Sequence, residues 1–188
     1  KEELLRQAPV SYDFMNASKK LDIVYEDQHV LLANKPVGVL VHPNKKEYRD
    51  TLIFRIQRYL YEKGSYHPED QTSFTPALVN RLDRNTCGIV IAAKTAPALR
   101  ILNEKLRHRE VRKYYLGIVH GILEQKEATL HGFLEKNEAK NQVYVSDAKD
   151  PAAAGARDIV TRYRVLEERE DMSLLEIELV TGRTHQIR

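Results

Sequence analysis

From Lys113 onward the apolar residues of this 188-residue chain recur with period two, and this pattern most constrains what it can fold into. Alternation puts every second side chain on one face, which suits half-buried strands and not helices. Segments 115–119, 129–134, 142–146, 158–166 and 174–180 follow one another with polar links, of which 167–171 reads as a turn. Short strands with short links predict an antiparallel meander.

Upstream the punctuation changes. Two apolar runs, 21–24 and 30–33, flank Tyr25-Glu26-Asp27-Gln28-His29 and predict a hairpin. Asn34-Lys35-Pro36-Val37-Gly38 reads as a turn, and 39–41 as a further strand stopped by His42-Pro43. Asp50 is expected to cap a helix running to Glu62, with Leu52, Ile53, Ile56, Tyr59 and Leu60 on one face and Gly64 just past its end. Thr95-Ala96-Pro97 opens a second helix with Leu99, Leu102 and Leu106 as its stripe. Its other face and the following residues are basic (Arg100, Lys105, Arg107, Arg109, Arg112, Lys113), which suits either a solvated surface or phosphate contact. Two helices and a sheet make the class α+β. Lys149-Asp150-Pro151-Ala152-Ala153-Ala154-Gly155 reads as a mobile surface loop.

The hydrophobic content of 42% suffices for one globular domain, expected over 21–188, with 1–20 as a linker or the remnant of an upstream module. The chain starts without Met and stops at Arg188 directly after an alternating segment, so a longer polypeptide and a domain truncated at its C-terminal end are expected. No apolar run approaches the roughly 20 residues of a membrane span. A single cysteine, Cys87, excludes an intramolecular disulfide and fits a reducing, cytoplasmic location. The net charge of +3 is compatible with a polyanionic partner.

Residues 79–94 concentrate the chemistry. Asp83 lies between Arg81 and Arg84, a small-residue turn follows at Thr86-Cys87-Gly88, and then an apolar run that reads as a buried strand. Positive neighbours favour the charged form of an acid, as nucleophilic or electrostatic work requires. The same pattern suits a structural salt-bridge cluster at a strand entrance. Other chemistries lack their motifs. There is no Gly-rich phosphate loop and no Gly-x-Ser-x-Gly elbow, and the seven histidines lack metal-ligand spacing. A second basic and polar group, Gly182-Arg183-Thr184-His185-Gln186-Ile187-Arg188, follows the last alternating segment.

These residues carry a resemblance. Arg81-Leu82-Asp83 with Thr86 and Gly88 resembles the His-Arg-Leu-Asp-x-x-Thr-Ser-Gly motif of RluA-type pseudouridine synthases, with Asn80 and Cys87 where that family usually has His and Ser. Residues 182–188 match its second motif, Lys113-x-Tyr115 its tyrosine-bearing strand, and Lys35-Pro36-x-Gly38 its N-terminal segment. The resemblance implies a mixed, mainly antiparallel bent sheet flanked by helices. It implies an RNA uridine isomerase that needs no metal, nucleotide or redox cofactor. It makes Asp83 the nucleophile, Arg183 its cationic partner, and Tyr115 the residue that stacks on the flipped base and serves proton transfer. Arg81 would fill the gap left in the RNA, Ile187 would wall the pocket, and Thr86 joins the substrate-binding set. The expected substrate is ribosomal RNA, with transfer RNA as the alternative, acted on by a monomer. Two other classes compete: an RNA-binding module without catalysis, and a small-molecule lyase or glycosidase with an arginine-lined pocket. The first has no use for an anion facing phosphates, and glycosidases generally need two carboxylates.

Overall fold

The computed structural model describes residues 11–44, 46–47, 49–70, 72–137, 142–147 and 156–187. The loop expected at 149–155 and the terminal Arg188 lie outside them. Where one domain was expected over 21–188, the chain divides into two compact units, residues 1–107 and 108–188.

In the first unit, β1 (Ile23–Glu26) and β2 (Val30–Lys35) form the expected hairpin, and β3 (Ala77–Leu78) and β4 (Gly88–Ala93) complete an antiparallel sheet of order β1-β2-β4-β3. Alternation in β2 and β4 sends Leu31, Ala33, Val90 and Ala92 to one buried face. Against it packs α1 (Leu52–Glu62), through Leu52, Ile56 and Leu60, all at most 1% exposed. That is the i, i+4, i+8 stripe of an amphipathic helix. β4 is only partly buried, since Ile89 is exposed at its start.

Two local expectations are corrected here. Residues 39–41 form no strand; only Leu40 bridges Thr51, in parallel. The carbonyls of Leu40 and Val41 instead accept the first amides of α1, from Leu52 (2.8 Å) and Ile53 (3.1 Å). The helix is thus capped by backbone. The N-cap residue is Thr51, without a side-chain bond. Asp50 is drawn away by a bidentate pair with Arg55 (2.7 Å each) and by the amide of Ser18 (3.0 Å). Of the 1–20 segment read as a linker, the described part packs onto this unit: Phe14 is 3% exposed among Tyr12, Tyr61 and Tyr66. The helix α2 (Ala96–Arg107) starts as expected, with Thr95 Oγ1 accepting from the Ala98 amide at 3.3 Å.

Glu26 ties three elements of this unit together. Burial opposes its charge, but donation from Lys63, Lys94 and Tyr59 brings the carboxyl down from 4.5 to about 2. A depressed carboxyl contributes stability above its unfolded value and loses it as pH falls from 4.5 toward about 2. Acid titration of unfolding should therefore show a stability loss in that window that Glu26→Gln reduces; an unchanged acid limb in the variant would contradict this.

The second unit is one antiparallel sheet of β5 (Tyr114–His120), β6 (Glu127–Asn137), β7 (Gln142–Ser146), β8 (Arg157–Arg169) and β9 (Met172–Leu179), in the order β5-β9-β8-β6-β7. This is not the meander expected: β9 enters between β5 and β8, and the β6–β7 hairpin lies outermost. The 13-residue β8 extends through 167–169, read as part of a turn, because a bulge between Val165 and Glu167 keeps it in register with β9. The actual turn is tightened by Glu170 at φ 55°. Leu134, Ile159, Leu175 and Leu179 are its buried apolar residues. Both described α-helices belong to the first unit, so α+β holds for the chain, with the α-helices and the longer strands in separate units. Among the described residues no helix is long and apolar enough to cross a membrane.

Candidate active site

Arg81, Asp83 and Thr86 share one loop of the first unit, between β3 and β4. Its entrance is fixed by Asn80, whose Oδ1 accepts from the Ile91 amide (2.8 Å) and whose Nδ2 donates to the Ile89 carbonyl (3.1 Å). A carboxamide pairs in this way with the donor and the acceptor of a strand edge, which explains how Asn serves at the position where the resembled motif has His. The Thr86 amide then donates to the Asp83 carbonyl at 3.1 Å, closing a turn over 83–86. Gly88 leaves it at φ 127°, a conformation that suits only glycine.

A second turn pins the first. Lys35 is fully buried, and its ammonium donates to the carbonyls of Pro36 (2.9 Å), Val39 (2.8 Å) and Arg84 (3.1 Å). All three of its protons are thereby used. The Gly38 amide, at φ 87°, donates to the same Arg84 carbonyl at 2.8 Å. Burial lowers the Lys35 pKa, while Cys87 and Asp83 act to raise it, so Asp83 lies within electrostatic reach of this cation. The Arg84 guanidinium points elsewhere, into a close ion pair with Glu47. Arg81 is exposed beside His42, whose pKa is lowered by burial and then by Arg81. Asp83 and Thr86 are half-buried. Arg84 therefore serves this site through its carbonyl, and the cation closest in role to Asp83 within this unit is Lys35. The sequence marked Lys35 as part of a motif but could not assign it this task.

Tyr115, Arg183 and Ile187 belong to the second unit. Tyr115 sits opposite Ile177 on β5, on the less exposed of its two faces. Beyond β9 the chain turns through 181–187 on a clamp made by Gln186, which is 9% exposed. Its Oε1 accepts from the Arg183 amide (3.0 Å) and the Thr181 hydroxyl (3.1 Å), and its Nε2 donates to the Val160 carbonyl (3.2 Å) and the Thr161 hydroxyl (3.0 Å). Thr181 Oγ1 also accepts from the Val160 amide at 2.8 Å. The loop is thus anchored to β8, with His185 in the left-handed region at φ 62°. Arg183 is held at its backbone, while its Nε is buried without an acceptor among the described residues. Ile187 is 40% exposed. A shallow hollow of about 410 Å³ on this unit lies over Arg162, Arg164, Glu176 and Glu178, whose charges are paired across the sheet, so it offers no open chemistry.

The chain is similar to known proteins over most of its length. Residues 29–188 match the family model described as RNA pseudouridylate synthase. An uncharacterized RNA pseudouridine synthase of Mycoplasma pneumoniae is 35% identical over 193 residues, covering 100% of this chain and 55% of that protein. The ribosomal large subunit pseudouridine synthase D of Neisseria meningitidis serogroup B is 33% identical over 186 residues, covering 98% of this chain and 46% of that protein. The chain thus spans about half the length of the curated relatives it matches. Among solved structures, human RNA pseudouridylate synthase domain containing 1 aligns with a TM-score of 0.70 at 20% identity, over 97% of this chain and 66% of that one, a likeness of fold. The turn that bears Asp83, the anchored Arg183 loop and these matches over the length of the chain lead to one conclusion: the protein belongs to the RNA pseudouridylate synthase family, in its RluA-type branch.

Proposed function

We propose that this chain carries the catalytic centre of an RNA pseudouridine synthase that isomerises uridine in structured RNA, with ribosomal RNA as its substrate class. The supporting observation is the Asp83 turn, which two independent donors, Lys35 and Gly38, pin through one carbonyl. The backbone that carries the Asp83 carboxylate is thereby held in place, which suits a nucleophile that must meet a bound nucleotide. Relatives named ribosomal large subunit pseudouridine synthase D in several bacteria support the choice of RNA.

In this reading the target uridine leaves the stack, at a cost of a few kcal/mol, and enters the site. Asp83 attacks, the bond from N1 to the ribose breaks, and the uracil turns so that carbon 5 rejoins the ribose. The proton on carbon 5 is then released, and the carboxylate is regenerated. Arg183 supplies the positive charge that keeps Asp83 ionised in a dry site. Tyr115 stacks on the base, worth about 1–3 kcal/mol, and its hydroxyl takes part in proton transfer. Ile187 gives an apolar wall, and Thr86 lines the substrate side of the Asp83 turn. No cofactor is required.

Because every turnover frees the hydrogen of carbon 5, the test is tritium release from RNA labelled there, using full-length protein. Release from the ribosomal RNA fraction is expected. Release from transfer RNA alone would move the substrate class, and no release from any cellular RNA would overturn the reading. Arg81, exposed at the loop, is the candidate to occupy the gap left by the flipped base. Arg81→Ala should slow release from a folded RNA by more than tenfold over its effect on a short flexible strand, on the order of the unstacking cost; equal losses on both would argue against that role.

A further inference from the structure

Lys113 has no part in the chemistry above, yet its side chain runs into the same loop as Arg183. Its carbonyl accepts from the Leu179 amide at 3.0 Å, so its backbone is locked to the end of β9. Its ammonium lies against Gly182, where a Cβ would stand 2.7 Å from Nζ. Lysines commonly rest their stems on apolar surface and keep the charged end in water. Here the residue is only half-exposed and the charged end rests on the loop itself. Among the described residues no carboxylate or carbonyl pairs with that ammonium, and the charge that acts on it is another cation, Arg109. The next residue along the loop is Arg183, with its buried Nε lacking an acceptor among the described residues. The Lys113 ammonium therefore rests on Gly182 beside the like charge of Arg109, with no anion paired to it among the described residues.

We propose that Lys113 is a substrate-binding residue that takes the phosphodiester of the target nucleotide. The proposal rests on the function proposed above. Desolvating an ammonium beside another cation is unfavourable, and an incoming phosphate offsets that cost. The placement fits one nucleotide. Lys113 and Tyr115 point to the same side of an extended segment and stand about 7 Å apart. A base stacked on Tyr115 thus brings its own phosphate within reach of Lys113. Gly182 follows from the same geometry, since any side chain there would displace the ammonium.

The experiment measures binding of a ribosomal RNA fragment by full-length protein as salt is varied, in an Asp83→Asn background so that turnover does not interfere. Lys113→Met should flatten the plot of log affinity against log salt by about 0.7–0.9, the share of one phosphate contact. Lys113→Arg should restore the slope. Gly182→Ala, whose backbone tolerates alanine and whose methyl meets only the movable end of a lysine, should flatten it without loss of thermal stability. An unchanged slope in Lys113→Met, or in Gly182→Ala should the first variant fail to fold, overturns the proposal. Tritium release by the protein with Asp83 intact is scored first and separately: its absence overturns the functional reading, whereas release with an unchanged slope overturns the phosphate contact alone.

Discussion

Asp83→Asn is expected to lower the rate of pseudouridine formation by a factor on the order of 10⁴ or more, the scale seen when a nucleophile is removed, with RNA affinity kept or slightly raised. The amide copies the shape of the carboxylate but cannot form the covalent bond. The turn that holds residue 83 is pinned through backbone carbonyls. Its described bonds run from the Thr86 amide to the residue 83 carbonyl, and from Lys35 and Gly38 to the Arg84 carbonyl. Removing a negative charge from a surface that meets phosphates favours binding. A loss of affinity equal to the loss of rate would mean that Asp83 binds and does not react.

The second large effect is on stability. Lys35→Met should destabilise the first unit by about 3–5 kcal/mol, measured by denaturant unfolding, because a fully buried ammonium that joins three part-buried carbonyls is lost, and of these only the Arg84 carbonyl keeps another described donor, the Gly38 amide. Met retains the apolar stem and most of the volume, so a packing defect alone would cost far less. Those carbonyls belong to Pro36, Val39 and Arg84, and so the loss spreads directly into the Asp83 turn. Activity should fall in parallel and recover in part under conditions that stabilise the fold. A change under about 1 kcal/mol would show that water replaces the ammonium and that the pin is dispensable.

Much of the fold could be read from residue order. Leu52, Ile56 and Leu60 announce α1 by spacing, Gly64 ends it at φ 72°, and alternation marks every strand of the second unit. Strand order was not legible, since period two says which face a residue takes but not which neighbour it pairs with. Nor was the choice between Asp50 and Thr51 as N-cap, which depends on Arg55 and Ser18 competing for the carboxylate. The candidate site divides in the same way. Arg81, Asp83, Tyr115, Arg183 and Ile187 were visible as chemistry-bearing residues in motifs. Lys35, Asn80 and Gln186 each bond at least one backbone group 9 to 49 residues distant, and such partners become visible only once the chain is folded.

The most direct test of the central claim maps pseudouridine by chemical labelling in ribosomal RNA treated in parallel with the full-length protein and with its Asp83→Asn variant. Conversion of defined uridines by the unsubstituted protein, and of none by the variant while it still binds the RNA, is the expected result; equal conversion by both would contradict the assignment of Asp83 as nucleophile.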